Sequence, residues 1–142
     1  MYGGCYYQKS SDYPTDRPVI SNIRNTQNGT GVVNEGTFNM YDGIISGNAR
    51  HGVLSTSIYV EDTINLYGGT ITGNTGAGLS TSRWPAPDIY ENTKYTTINL
   101  YGGTISENTG AGIDAVYGKV TMAQQSSANP VEIKNNKGGA LR

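Results

Sequence analysis

The chain has 142 residues, enough for one domain with a buried core. Charged residues make up 15%, the formal net charge is −1, and Lys and Arg form no run, which excludes the basic footprint expected of a binder of nucleic acid or of an anionic membrane. A single cysteine, Cys5, excludes an internal disulfide.

No apolar stretch approaches the roughly 18 residues that a spanning helix needs, so no membrane span is expected. Met1 does not lead into a basic and then an apolar segment, so no signal peptide is expected. The 20 glycines, set among β-branched residues and asparagines, predict short strands joined by tight turns.

Taken in chain order, the elements repeat. "MYGGCY" (Met1–Tyr6) reads like the later "LYGGTI", and "NIRNTQNGTGV" (Asn22–Val32) like the second half of a unit. "FNMYDGIISGN" (Phe38–Asn48) is the first full copy, and "INLYGGTITGNTGAGL" runs from Ile64 to Leu79. "INLYGGTISENTGAGI" follows 34 residues later, from Ile98 to Ile113, with three positions changed. "VTM" (Val120–Met122) and "VEIKNNKGGAL" (Val131–Leu141) make a last copy, split by extra residues. Inserted loops are expected near 80–95, where Pro85 and Pro87 break strand pairing, and at 123–130.

Within a unit the apolar residues alternate with period two, and no 3.6-residue period persists. Each unit therefore predicts three short strands, as in "TINLY", "GTITG" and "AGLST". The pairs Gly68-Gly69 and Gly102-Gly103 permit a sharp turn between the first two strands, where φ can be positive. Three strands in a unit of about two dozen residues has the size of a parallel β-helix coil. About five such coils cover the chain, making an all-β solenoid.

Stacked coils put equivalent residues in columns. Phe38, Ile64, Ile98 and Val120 form one; Met40, Leu66, Leu100 and Met122 a second; Ile45, Ile71, Ile105 and Ile133 a third; and Val53, Leu79, Ile113 and Leu141 a fourth. Each such side chain, fully buried, contributes about 1.5–3 kcal/mol. Asn48, Asn74, Asn108 and Asn136 form an asparagine ladder, each amide donating to one neighbour and accepting from the other. Asparagine's short polar side chain also tolerates the left-handed backbone that a tight turn can need.

The phrases "GGTITGN" and "GGTISEN" after an apolar-polar-apolar triplet resemble repeats of bacterial surface proteins, the polymorphic outer-membrane protein type and large adhesin-like proteins. The resemblance covers about 36–141 and implies the right-handed parallel β-helix of the pectin-lyase-like class, at an extracellular or cell-surface location. It implies no particular activity, since adhesins, lyases and tail spikes share that fold. Met1 aligns with the Leu66 column and Leu141-Arg142 with Leu79-Ser80, so residues 1–142 read as one β-helix domain, a segment of a longer solenoid.

Several places could carry chemistry. Tyr2, Tyr41, Tyr67 and Tyr101 share a column and read as a self-stacked aromatic ladder, with an exposed strip for sugar or protein as the alternative. Trp84, Asp88, Tyr90, Glu91 and Tyr95 in the first insertion are the ligand-binding candidates, against a reading in which Trp84 closes over the coil as a lid. Asp42, Asp62, Asp88 and Asp114 occupy different columns and offer no retaining carboxylate pair about 5 Å apart, so they read as solvated acids on an outer face. His51 is the only histidine and aligns with Ala77, Ala111 and Gly139, so neither a zinc site nor any other metal or cofactor is expected. No nearby histidine activates Cys5, and the glycine-rich "GTGVVNEG" and "GNTGAG" open no helix and fail as phosphate loops. The Thr70-x-Thr72 pair becomes Ile44/Ser46 and Glu132/Lys134 in other coils, too broken for a regular threonine array.

These readings converge on a structural or adhesive, non-catalytic module of a bacterial secreted or surface protein, with a carbohydrate or a host protein as candidate partner. A carbohydrate-binding or polysaccharide-degrading segment is one alternative. The other is a unit that self-associates through open coil ends.

Overall fold

A computed structural model describes residues 19–21, 23, 29–56, 61–82, 95–116 and 118–142. Tyr2 and Cys5, like Trp84, Asp88, Tyr90 and Glu91 of the first insertion, lie outside the described residues.

Among the described residues thirteen strands follow one another: β1 Val19–Ser21, β2 Val32–Asn34, β3 Thr37–Met40, β4 Ile44–Ser46, β5 Val53–Ser55, β6 Thr63–Leu66, β7 Thr70–Thr72, β8 Leu79–Thr81, β9 Thr96–Leu100, β10 Gly103–Ser106, β11 Ile113–Asp114, β12 Gly118–Met122 and β13 Val131–Lys134. No helix lies among the described residues. The strands sort into three parallel sheets, ordered β12-β9-β6-β3, β1-β4-β7-β10-β13 and β11-β8-β5-β2. Each strand pairs with the one three places on, so the chain winds through all three sheets once per coil. This is a parallel β-helix.

The four apolar columns form in the expected register. Phe38, Ile64, Ile98 and Val120 are successive partners, as are Met40, Leu66, Leu100 and Met122. Ile45, Ile71, Ile105 and Ile133 continue a column that Ile20 begins. Val53, Leu79 and Ile113 extend from Val32, and an isolated bridge joins Ile113 to Leu141. Their middle members are buried outright and form one continuous apolar core.

The turns hold two surprises. φ is positive at Gly69 (87°) and Gly103 (95°), as the glycine pairs predict. Before the asparagine ladder, however, the left-handed residue is the one preceding the asparagine: Gly47 (62°), Gly73 (63°), Glu107 (56°) and Asn135 (56°). The ladder asparagines do not carry the strain, because their side chains must point inward.

The second surprise is the glycine of "GAGL". A Cβ on Gly78 would lie 2.5 Å from Ile105 Cγ2, 2.8 Å from the Gly112 carbonyl and 3.0 Å from Asn108 Nδ2. Gly31, Gly52 and Gly112 repeat this contact against Asn48, Asn74 and Asn136. These glycines are a column chosen for bareness, letting the backbone pass over the amides.

One corner is polar inside. Asn34 Nδ2 donates to Ser55 Oγ (2.9 Å), Gly36 O (3.0 Å) and Thr63 O (3.3 Å). Asp62 stands at the same corner and is 1% exposed, which corrects its reading as a solvated acid. The physical reason is parity: position 62 shares the inward phase of Ile64 and Leu66.

Candidate functional site

The buried asparagine ladder is complete across four coils. Asn48 Nδ2 donates to Asn74 Oδ1, Asn74 Nδ2 to Asn108 Oδ1, and Asn108 Nδ2 to Asn136 Oδ1, each at 2.9 Å. The same three oxygens accept from the backbone N–H groups of Asn48, Asn74 and Asn108 at 3.0–3.1 Å. The second amide hydrogens go to the carbonyls of Ile20, Ile45, Ile71 and Ile105 at 3.1–3.5 Å. Within this ladder the buried amide atoms find partners, which is what makes their burial tolerable. This ladder is architecture, facing away from any ligand.

The outer face of β3, β6 and β9 is different. Tyr41 and Tyr67 stack with ring centroids 4.7 Å apart and planes 5° from parallel; Tyr67 and Tyr101 stack at 4.7 Å and 11°. The aromatic ladder exists, and its geometry decides what it can bind. Both faces of Tyr67 are covered by its neighbours, so this ring offers its edge and hydroxyl and no open platform for a sugar ring to stack upon, while Tyr41 and Tyr101 each have one face covered by Tyr67. Burial, and then the Tyr41 and Tyr101 phenols, push the Tyr67 phenol above its ordinary value.

Beside the tyrosines runs a second asparagine column that sequence reasoning missed. Asn65 Nδ2 donates to Asn39 Oδ1 at 2.8 Å, and Asn99 Nδ2 to Asn65 Oδ1 at 2.9 Å. The signal was present: "FNMY" and two copies of "INLY" put asparagine at the same outward place three times. Thr37, Thr63 and Thr97, also in register, form the third column.

The second insertion grips the base of this face. Asn129 Nδ2 donates to the Tyr67 carbonyl at 2.7 Å, and a Cβ on Gly102 would collide with that amide. The glycine turn is thus a seat for residues 123–130. Of the first insertion's ligand candidates, only Tyr95 is described; it is 59% exposed and immediately precedes β9.

His51 serves the turn. Its Nδ1 accepts the Ala77 N–H at 3.0 Å. Burial and the adjacent Arg50 charge hold the imidazole below its ordinary value, against an upward pull from Asp114. Among the described residues, no three His, Cys, Asp or Glu side chains gather where they could hold a metal ion. No helix there is long and apolar enough to cross a membrane.

Comparison with protein-family models, with curated proteins and with solved structures returned no match.

Proposed function

We propose that this chain is a structural and adhesive module of a bacterial secreted or cell-surface protein, a rigid rod that works by holding and presenting an outer face. One observation carries this reading. The side chains on the β3-β6-β9 face are already locked to one another by stacking and by amide pairing, so little conformational entropy remains to be lost on contact. The likeness of the "GGTISEN" repeat to surface-protein repeats supports the location. Fractionating the source cells with an antibody against the chain tests it: the protein should appear with the envelope or in the medium. Confinement to the cytosol would end the surface reading. Steady release of sugar fragments from polysaccharides by the pure protein would end the non-catalytic one.

A further inference from the structure

We propose that the outer face of β3, β6 and β9 docks a neutral, hydroxyl-rich polysaccharide in extended form. The inference rests on the reading of this module as a presenting rod, and it names the partner.

The face consists of three columns, threonine, asparagine and tyrosine, and none of these side chains is charged. Its rungs repeat every 4.7 Å along the axis, and its columns are about 7 Å apart along the strands. Lys119 continues the threonine column on β12, the edge strand of this sheet; over β3, β6 and β9 themselves an anionic polymer would be stripped of water with no cation to meet it, and a cationic one with no carboxylate. Charge complementarity therefore selects an uncharged partner.

The hydrogen-bonding valences narrow the choice. An asparagine amide has two donor hydrogens and two acceptor sites. Asn65 uses one of each within its column, giving to Asn39 and taking from Asn99. It keeps one donor and one acceptor for the outside. Tyrosine and threonine hydroxyls have the same dual character. A partner that matches such a surface must itself donate and accept at each step, as a sugar hydroxyl does. Because Tyr67 is covered on both faces, its contact runs through the ring edge and the hydroxyl. The contact at each sugar is modest and accumulates along the chain.

The test is retention of the pure protein on insoluble cellulose, chitin, mannan and starch, with polygalacturonate as the anionic comparison. The wild type should be retained on at least one neutral polymer and not on polygalacturonate. A Thr63→Lys, Thr97→Lys variant, its fold checked by circular dichroism, should bind about tenfold more weakly. Tyr67→Phe, which keeps the stack and removes one hydroxyl, should bind several-fold more weakly. Thr104→Lys, on the neighbouring sheet, should bind as the wild type does. Retention on none of the neutral polymers overturns the proposal, and so does equal loss in Thr104→Lys. Dimers that the Thr63→Lys, Thr97→Lys variant dissolves would make the occupant a second copy, which also overturns it. Each of these failures leaves the rod reading standing, since that is judged by where the protein resides.

Discussion

Asn74 and Asn108 are 34 residues apart in sequence, yet the amide of one donates to the amide of the other at 2.9 Å with both side chains fully buried. Asn74→Leu keeps the branching and the number of side-chain heavy atoms and removes the polar ones. It leaves the Asn48 N–H and one Asn48 amide hydrogen without their acceptor. A loss of about 3 kcal/mol or more is expected in urea denaturation, since each orphaned buried group costs about 1–3 kcal/mol. Asn136→Leu, at the more exposed rung, should cost about 1 kcal/mol. Equal losses at the two positions would contradict a buried, cooperative ladder.

Gly78→Ala tests the bare column. The added methyl meets Ile105, the Gly112 carbonyl and the Asn108 amide, none of which can move without disturbing its own coil. The expected cost is about 1–3 kcal/mol. Gly36→Ala, where no atom lies within 4 Å, is the control and should stay within about 0.5 kcal/mol of the wild type.

Glu107 adopts a left-handed backbone (φ 56°) where the two preceding coils use glycine. Glu107→Gly removes a steric penalty of about 1–2 kcal/mol and adds back part of it as unfolded-chain entropy. The thermal midpoint should rise, by an amount equivalent to roughly 0.5–1 kcal/mol. A fall would mean that the Glu107 side chain holds something its backbone geometry does not reveal.

Stability should fall in mild acid because of His51. Its imidazole is held below the ordinary value of 6.5 in the folded chain, so the unfolded chain takes up the proton first. The contribution is therefore fully present above pH 6.5 and is lost as the pH falls through the folded value. Protonation also removes the Nδ1 lone pair that accepts Ala77 N–H. His51→Gln should flatten the acid limb of a stability-against-pH curve; an unchanged limb would assign it to other groups.

The coil register was legible because one physical rule generates it: each inward side chain touches its own copy. Period two and the repeat spacing place Ile71 against Ile45 and Ile105 with no further information. The same parity marks Asp62 as inward, but its chemistry argued the other way, and parity prevailed. The left-handed residue and the bare glycine were harder to see. Both depend on how closely one turn passes over the next, a distance that no single coil encodes. At the candidate site, the tyrosine stack was legible, whereas the consequence of its packing was not: identical letters in a column do not reveal whether rings present faces or edges. Trp84, Asp88, Tyr90 and Glu91, the strongest local motif of the sequence, lie outside the described residues.

The two asparagine columns point in opposite senses. Inside, amides give toward the later coil, and backbone carbonyls and N–H groups fix that direction at every rung. Outside, Asn99 gives to Asn65 and Asn65 to Asn39. Turning all three outer amides over together would conserve that count of bonds, whereas turning one alone would set donor against donor or acceptor against acceptor. The exterior column therefore has two equivalent polarities and must change between them as a unit, so a molecule gripping one end of it biases the arrangement met by the next.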